Sequence, residues 1–349
     1  MTRPLRLGID AANFASDRRG MGRAARAVLR YALTDPGVAI TLISPRRRDE
    51  RALRDEFGGL PLVTAQEGGR RNVFDAVWFP WNGMRFGVAA PALVTLHDVF
   101  AFTEPARGFI ARRREQDPIL RAARAATAIA TDSHFSRSEI VRVLGVAPAR
   151  VEVVPLAPDP FFFPARGDRL PEEIAGKRYV LLVGAREARK NARTVIEACA
   201  RALHAPDELL VIAGELGEAE RTLLRERRVP SACLAPDDAT LRALYRNASA
   251  VAVPSTGEGF GLIAAEALAC AAPVVAANAA ALPETTGDAA ILLDPFDIAA
   301  WSAALRALLD DPRRAGAWSE RAAARFALAD RDAPAKAVLA LLQRLRTRG

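Results

Sequence analysis

Short apolar runs alternate with longer helical patterns along this sequence, and the alternation occurs in two successive series. The first series comprises Leu5–Ile9, Val38–Ile43, Ala76–Phe79, Ala92–Leu96, Ala126–Thr131 and Val151–Val154. The second comprises Tyr179–Val183, Leu209–Ala213, Ala250–Val253 and Val274–Ala276. Nearly every residue in these runs is apolar, which is typical of parallel strands that helices cover on both faces. The sequence therefore predicts two doubly wound α/β domains.

A proline-rich stretch separates the two series. Five prolines lie between residues 155 and 171, with three consecutive phenylalanines among them. Proline at this density cannot continue a helix or a central strand. We therefore predict a first domain over residues 1–160, a linker over 161–177, a second domain over 178–329, and a C-terminal helix at about 330–349 that packs back on the first domain.

The composition indicates a globular protein from a reducing compartment. Half of the residues are hydrophobic and 26% are charged, which excludes a disordered or disulfide-stapled chain. Cys199, Cys233 and Cys270 lie far apart among apolar residues, so we expect three buried free thiols. No basic-then-apolar leader opens the sequence, and its most apolar long stretch, 263–282, contains Glu266. We expect a cytoplasmic protein.

The strongest local signal follows the third run of the second series. A turn containing Gly257, Gly259 and Gly261 joins an apolar strand to a helix, with Glu258 before the helix and Glu266 inside it. Unsatisfied N–H groups at such a helix start attract anions, and a carboxylate in an early helical turn can accept two sugar or ribose hydroxyls. Two glutamates eight residues apart are, taken alone, more typical of solvated surface positions. The glycines and the strand favour a binding site.

A basic loop follows the first strand of the second series. Gly184 ends the strand, Arg189 and Lys190 follow, and Asn191 has the position of a helix N-cap. Two cations beside a helix start can clamp a pyrophosphate. A solvated basic loop is the alternative, which the position at a strand end disfavours.

A histidine stands at the end of a first-domain strand. His97 and Asp98 follow the run Ala92–Leu96, so we expect a neutral imidazole that points into the crevice between the domains, toward a sugar hydroxyl. A structural histidine is the alternative, and we favour it for His134 and His204.

A glycine motif lies between the first strand and the first helix. Gly20 and Gly22 belong to a G-x-G-x-x-A pattern that is also found in dinucleotide-binding proteins. The second strand ends at Ser44 rather than in an acidic residue, but residues 46–48 are three arginines that could hold a 2′-phosphate. The motif is therefore compatible with an NADP-dependent oxidoreductase. It is equally compatible with a loop whose backbone approaches a sugar diphosphate.

Positive charge is concentrated in the first half of the chain. Residues 1–170 hold 26 Lys and Arg against 18 Asp and Glu, whereas the rest holds 23 of each. One cluster is Arg23, Arg26 and Arg30 on one helix face, and the other is Arg112–Arg114, Arg121 and Arg124 beside Phe109 and Ile110. We predict an anionic partner, either a membrane surface or a lipid-diphosphate acceptor. A solvated face is the alternative, and nothing indicates nucleic acid.

Taken together, these segments resemble the family 4 glycosyltransferases, which have the GT-B fold of two Rossmann-like domains facing a cleft. The matching segments are Gly20–Arg23, Thr95–Asp98, Thr131–Ser136, Val153–Pro155, Gly184–Asn191, Leu244–Ala248, Pro254–Glu266, Leu282–Glu284 and Gly287–Ala290. Their shared order covers most of the chain. The sequence departs from the family at Ile263, where proline is usual, and at Gly257, where an aromatic residue is frequent.

The resemblance implies a retaining, metal-independent hexosyltransferase without a cofactor. It would move a sugar, with mannose as a first guess, from a UDP- or GDP-sugar to a saccharide or lipid-linked acceptor in bacterial cell-surface glycan synthesis. It would work in the cytoplasm or at the inner face of the plasma membrane.

The same resemblance implies roles for particular residues. Glu266 would bind the nucleotide ribose, Glu258 would lie next to the donor sugar, and His97 would lie near the reacting carbon. Arg189 and Lys190 would hold the pyrophosphate. The remaining donor-binding positions would be Gly20, Gly22, Gly259, Phe260, Gly261 and Leu262. The alternatives are an NADP-dependent oxidoreductase and a non-catalytic nucleotide-sugar-binding protein.

Overall fold

The computed structural model describes residues 3–346 except 18, 19, 72, 105–107, 165, 166 and 328–330. It divides the chain into two compact units. Unit 1 is Met1–Ala157 with Asp330–Gly349, and unit 2 is Pro158–Ala329. Each unit contains one sheet whose strands all run parallel.

Unit 1 has a seven-stranded sheet in the order β3-β2-β1-β4-β5-β6-β7. Its strands are β1 Leu5–Asp10, β2 Val38–Ser44, β3 Leu62–Thr64, β4 Ala76–Phe79, β5 Ala92–Thr95, β6 Ala128–Thr131 and β7 Val151–Val153. Its helices before the second unit are α1 Gly20–Leu33, α2 Glu50–Phe57, α3 Ala65–Gly68, α4 Phe100–Thr103, α5 Phe109–Ala125 and α6 His134–Leu144.

Unit 2 has a six-stranded sheet in the order β10-β9-β8-β11-β12-β13. Its strands are β8 Arg178–Val183, β9 Glu208–Ala213, β10 Ser231–Leu234, β11 Ala250–Val253, β12 Val274–Ala277 and β13 Ala290–Leu293. Its helices are α7 Ala192–Ala202, α8 Glu218–Arg227, α9 Asp238–Asn247, α10 Leu262–Ala269, α11 Leu282–Thr286, α12 Ile298–Asp310 and α13 Pro312–Ala327. The last helix, α14 Ala333–Arg346, returns to unit 1 and packs on α1 and β4.

Both sheets confirm the predicted Rossmann-like fold class. In each, the first strand pairs with the second on one side and with the fourth on the other, so the strand order reverses between the first and fourth strands. Every residue of β4, β5, β9, β11 and β12 is buried. These are the continuous apolar runs of the sequence.

The sequence did not predict the strands β3, β10 and β13, which all lie at sheet edges. Their residues are mostly half-buried or exposed. A strand that is covered on one side only needs no continuous apolar run. The pattern that identifies the central strands is therefore missing from these three.

The segment 161–177, predicted as a linker, lies within unit 2. Phe162 is fully buried and its ring meets that of Tyr245 edge-on. Arg242 pairs with Asp168 and lies 4.0 Å from the ring centroid of Phe161. Aromatic packing and an ion pair thus attach this proline-rich segment to α9. Residues 328–330, which hold the predicted second boundary, lie outside the described part of the chain.

A buried ion pair attaches α12 to the start of β9. Glu208 is 1% exposed, and its two carboxylate oxygens each lie 2.7 Å from a guanidinium nitrogen of Arg306. The backbone N–H groups of His204 and Ala205 also donate to Glu208. Hydrogen bonding to Arg306 lowers the pKa of Glu208 to about 2 against the opposing effect of burial.

We predict that Glu208→Ala lowers the free energy of unfolding by about 3 kcal/mol, because it leaves the Arg306 guanidinium without its buried partner. Asp310→Ala is the matched control, since it removes the exposed carboxylate from the same arginine and should cost less than about 1 kcal/mol. Urea unfolding at neutral pH measures both changes. Equal losses in the two variants would contradict the prediction. The stabilisation from Glu208 should be present above pH 4.5 and disappear as the pH falls toward 2.

Candidate functional site

Two loops of unit 2 meet where its strand order reverses. The strands β8 and β11 are neighbours in the sheet, and the loops after them carry Arg189 with Lys190 and Glu258 respectively. Ligands of such folds bind outside the carboxyl ends of the strands at this position. The loops thus bring together three of the residues that the sequence indicates.

The three side chains form one charged cluster. Lys190 Nζ lies 2.6 Å from Glu258 Oε1, and Arg189 Nη1 lies 3.4 Å from Glu258 Oε2. Arg189 Nη1 also donates to the Gly257 carbonyl at 2.8 Å, and the Arg189 carbonyl accepts from Thr256 N–H at 2.8 Å. Glu258 is 8% exposed. It is therefore a buried, paired carboxylate and not a solvated surface residue.

Asn191 positions the basic loop in a way that the sequence did not indicate. It stands at the N-cap of α7 but in the left-handed region, with φ 49°, and its side chain does not cap the helix. The Asn191 Nδ2 group instead donates to the carbonyls of Pro295 at 2.7 Å and Pro254 at 3.2 Å. Asn191 thus occupies the predicted N-cap position, but its side chain connects three loops at the end of the sheet instead of capping the helix.

The glycine-rich turn directs the chain into α10. Gly261 has φ 98°, and a Cβ atom there would lie 2.7 Å from the side chain of Leu282, so only glycine fits. The Phe260 carbonyl accepts a hydrogen bond from the Thr285 hydroxyl. Gly259 and Leu262 flank these residues and are half-buried. The first backbone N–H groups of α10 lie in this turn.

Glu266 lies in the second turn of α10 and is 7% exposed. The Tyr245 hydroxyl lies 3.2 Å from Glu266 Oε2, where it can donate a hydrogen bond. Tyr245 is itself fully buried on α9. The sequence analysis did not single out Tyr245, which lies within the family-like segment Leu244–Ala248. No local sequence pattern indicates its contact with Glu266. A buried carboxylate held from one side by a phenol is fixed in orientation.

His97 forms the second constellation, which lies in unit 1. Its Nδ1 atom lies 2.6 Å from Asp132 Oδ2 and its Nε2 atom 3.2 Å from the Pro80 carbonyl. Its backbone N–H donates to Asn82 Oδ1. The neighbouring Asp98 carboxylate accepts from the backbone N–H of Phe100 and has a smaller effect on the pKa of the ring than Asp132.

The expectation of a neutral imidazole is wrong. Burial alone would lower the pKa of His97, but the charge and hydrogen bond of Asp132 outweigh it and raise the pKa to about 9. The ring is protonated at neutral pH, and both nitrogens then donate to oxygen atoms. Asp132 follows β6, the strand next to β5, so it reaches the same sheet edge as His97.

The glycine motif of unit 1 allows close packing within its own loop. A Cβ atom on Gly22 would lie 2.1 Å from the Asp17 carbonyl oxygen, so the close approach requires glycine. Arg26 donates to the carbonyls of Asp17 and Gly22 and pairs with Glu56 at 2.8 Å. Arg26 thus stabilises the entry to α1, and the predicted basic face of this helix is smaller than expected. Gly20 is the first residue of α1.

Other expectations about sites have mixed outcomes. Cys199 and Cys270 are buried, but Cys233 is exposed because it lies on the edge strand β10, so the prediction of three buried thiols is wrong. Within the described ranges, no three His, Cys, Asp or Glu side chains are grouped to hold a metal ion. None of the described helices is both long enough and apolar enough to cross a membrane.

Comparison with known proteins supports the resemblance. Residues 168–325 match the family described as "Glycosyl transferases group 1". The chain is 34% identical over 251 residues to the O-antigen chain mannosyltransferase B of Escherichia coli, covering 67% of this chain and 64% of that protein. The chain spans between 50% and 64% of the length of the first three curated relatives that it matches.

Solved structures show the same fold over nearly the whole chain. HepE of Anabaena in complex with UDP-glucose has a TM-score of 0.74 at 15% identity, covering 97% of this chain and 100% of that one. WaaG, a glycosyltransferase involved in lipopolysaccharide biosynthesis, has a TM-score of 0.71 at 17% identity, covering 95% and 98%. The fold is therefore GT-B, and the sequence match in unit 2 supports the glycosyltransferase family.

We predict that Asp132→Asn returns the pKa of His97 toward its ordinary value near 6.5, because the amide carries no charge to hold the imidazolium. Proton NMR of the imidazole C–H signals measures this pKa, and the spectrum of His97→Gln assigns the signal among the three histidines. Asp98→Asn is the control and should move the pKa much less. A His97 signal that already titrates near pH 6.5 in the unaltered protein would contradict the prediction.

The raised pKa also predicts the direction of a stability change. The stabilisation from protonated His97 is fully present below about pH 6.5 and is lost as the pH rises through about 9. Asp132→Asn should remove this part of the pH dependence.

Proposed function

We propose that this protein is a retaining, metal-independent hexosyltransferase that uses a nucleotide-sugar donor. The observation that supports the proposal most directly is the charged cluster of Arg189, Lys190 and Glu258 together with Glu266. All four residues lie at the strand reversal of unit 2, inside the segment that matches the group 1 glycosyltransferases. No cofactor enters the proposed reaction.

The ribose and the diphosphate of a nucleotide-sugar donor each have a chemical partner in this site. The carboxylate of Glu266, oriented by Tyr245, can accept hydrogen bonds from two ribose hydroxyls. Arg189 and Lys190 can hold the diphosphate through charge-assisted hydrogen bonds. The Gly259–Leu262 turn supplies backbone N–H groups at the start of α10. UDP and GDP donors are both compatible with this arrangement, and the UDP-glucose complex of HepE favours testing UDP first.

In the proposed reaction the bond between the sugar's anomeric carbon and the diphosphate oxygen breaks. The acceptor hydroxyl forms its new bond on the same face of the sugar, and its proton leaves with the diphosphate. Negative charge grows on the departing diphosphate, so Arg189 and Lys190 bind the transition state more strongly than the bound donor. Glu258 lies 2.6 Å from Lys190. It thereby orients the cation that stabilises the negative charge on the departing diphosphate.

His97 takes a different part from the one that the sequence suggests. A ring with a pKa of about 9, whose two nitrogens face Asp132 and Pro80, is no general base at neutral pH. We propose that the imidazolium stabilises negative charge beside the reacting carbon and that Asp132 keeps it protonated. The loop that contains Gly20 and Gly22 is proposed to pack against the donor.

The relatives suggest the substrate and the setting. An O-antigen mannosyltransferase is among them, so we propose transfer of a hexose, with mannose as the first candidate, to a saccharide or lipid-linked acceptor in bacterial cell-surface glycan synthesis. Unit 1 carries exposed Arg112 and Arg113 beside Ile110, which is 71% exposed. Such a basic and apolar surface suits an anionic membrane. We propose a cytoplasmic protein that can associate peripherally with the inner face of the plasma membrane.

The NADP-dependent oxidoreductase has less support. It would use the Gly20–Gly22 loop and the three arginines at 46–48 of unit 1, and it would leave Lys190, Glu258 and Glu266 without a role. A non-catalytic binding protein would need neither the pairing of Lys190 with Glu258 nor the protonated His97. The oxidoreductase leaves the cluster in unit 2 without a role, whereas a nucleotide-sugar-binding protein would share that cluster and is distinguished by the absence of transfer or donor hydrolysis.

We predict that UDP or GDP raises the melting temperature of the protein and that NADP does not. Glu266→Ala should weaken nucleotide binding roughly tenfold to a hundredfold, because the hydrogen bonds between ribose hydroxyls and an ionised carboxylate are lost. Glu226→Ala is the matched control on the exposed face of α8 and should bind normally. Isothermal titration calorimetry measures the affinities. Stabilisation by NADP alone, or unchanged nucleotide affinity in a folded Glu266→Ala protein, would refute the proposal.

We predict that Lys190→Ala lowers kcat for transfer or donor hydrolysis more than it raises KM, since its charge acts mainly on the leaving diphosphate. The chain offers Lys177→Ala as a control, because Lys177 is an exposed lysine of the same unit. EDTA should leave the rate of the unaltered enzyme unchanged. A normal kcat in Lys190→Ala would assign the basic loop a purely structural role, and loss of activity with EDTA would contradict metal independence.

A further inference from the structure

A cavity of about 510 Å³ opens in unit 1, apart from every residue assigned above to donor binding. It is lined by Arg46, Met84, Arg85, Arg114, Asp117, Pro118 and Arg121. Four of these residues are arginines and one is an aspartate. The volume is in the range of small-molecule binding sites.

Backbone contacts hold the walls of this arginine pocket together. Met84 N–H donates to the Pro118 carbonyl at 3.0 Å, and an Arg121 guanidinium nitrogen lies 3.4 Å from the Arg85 carbonyl. A Cβ atom on Gly83 would lie 2.7 Å from the Pro118 backbone. The loop after β4 is thus packed directly on α5, and the arginines on both elements have a stable spacing.

The positive charge of the pocket is poorly compensated within unit 1. The side chains of Arg114 and Asp117 form no hydrogen bond or ion pair with the described residues, and Arg46 lies 3.9 Å from Asp49. Burial and the neighbouring Arg46 lower the pKa of Arg85, with Asp10 opposing them. Burial raises the pKa of Asp10 itself to about 7, which favours the uncharged form of the carboxyl that opposes this effect. The arginines thus present a net positive surface.

The same loop connects the pocket to His97. Pro80 accepts from the His97 ring and Asn82 accepts from the His97 backbone N–H, while Met84 and Arg85 line the pocket. Arg46 follows β2 and Arg85 follows β4, so both lie at the carboxyl edge of the sheet, as His97 does after β5. A ligand in the pocket would therefore lie at the sheet edge where substrates of this fold class bind.

We infer that the arginine pocket binds a phosphate group carried by the acceptor, an inference that rests on the proposed transferase function. Planar guanidinium groups donate pairs of parallel hydrogen bonds to phosphate oxygens. A phosphate monoester carries close to two negative charges at neutral pH, which the excess of three arginines over carboxylates in the pocket lining can compensate. The phosphate can belong to a soluble sugar phosphate or to a lipid headgroup, since the pocket recognises the same group in both.

The test compares two double variants of the full-length protein. Arg114→Ala with Arg121→Ala removes two pocket cations, and Arg70→Ala with Arg71→Ala removes two exposed cations of unit 1 that do not line the pocket. Mannose 6-phosphate and mannose are the soluble probes, measured by calorimetry. Phosphatidylcholine vesicles with and without phosphatidic acid are the lipid probes, measured by sedimentation. UDP binding is measured in parallel and should be equal in all three proteins.

We expect the unaltered protein to bind mannose 6-phosphate, phosphatidic acid vesicles or both, and to ignore mannose and pure phosphatidylcholine. The pocket variant should lose at least about tenfold in affinity for the phosphorylated probe, whereas the control variant should keep it. Binding of the soluble probe alone identifies a free sugar phosphate, and binding of the vesicles alone identifies a lipid headgroup.

Two outcomes would overturn the inference. One is a protein that binds UDP but neither phosphorylated probe, which leaves the proposed function standing. The other is an equal loss in the pocket and control variants, which indicates general charge attraction. Failure to bind UDP or GDP would contradict the proposed function, while the phosphorylated probes would still report on the pocket.

Discussion

The parallel direction of all strands in a sheet determines where chemistry can occur in this protein. The carboxyl ends of a parallel sheet lie along one edge, so loops that are distant in sequence come together there. Lys190 and Glu258 are 68 residues apart and form an ion pair. His97 and Asp132 are 35 residues apart and share a hydrogen bond. Neighbouring strands, β8 with β11 and β5 with β6, produce both contacts.

The Glu258 carboxylate determines how strongly the basic loop can hold an anion. It is shared between Lys190 and Arg189, so part of their charge is already compensated. In the proposed reaction, the donor diphosphate would compete with Glu258 for these cations, which would moderate donor affinity. As the proposed leaving group gains charge, the cations would shift their interaction toward it. Binding that strengthens along the reaction lowers the barrier, whereas uniformly tight binding would not.

The sequence predicts those features that depend on periodicity and strand order. Strands such as Ala76–Phe79 and Ala250–Val253 are apolar throughout and were predicted with their observed bounds. The pairing of Glu258 with Lys190 could have been predicted from the sequence, because a Rossmann-like strand order makes β8 and β11 neighbours. The ring partner of His97 was not, since Asp98 is adjacent in sequence and Asp132 is adjacent only in space. The protonated state of His97 follows from that partner, so it was missed too.

The arginine pocket shows why surface sites escape sequence reasoning. Arg114 and Arg121 were grouped with Arg112 and Arg124 as one basic cluster of a helix, but only the first two line the cavity. Which arginines face it depends on how the loop after β4 packs on α5, and a close contact between Gly83 and Pro118 sets that packing. No periodic sequence pattern indicates the contact between Gly83 in the loop and Pro118 in the helix.

A chain of contacts also connects the proline-rich segment to Glu266, the proposed ribose-binding residue of unit 2. Phe162 is completely buried and packs edge-on against Tyr245, with ring centroids 5.8 Å apart. The Tyr245 hydroxyl in turn contacts Glu266. Removing the Phe162 ring would leave a cavity beside Tyr245 and free the phenol to move, so the orientation of the Glu266 carboxylate depends on a residue far from it in sequence. The segment after the first unit thus contributes to the geometry of the proposed ribose site and is more than a connection between two domains.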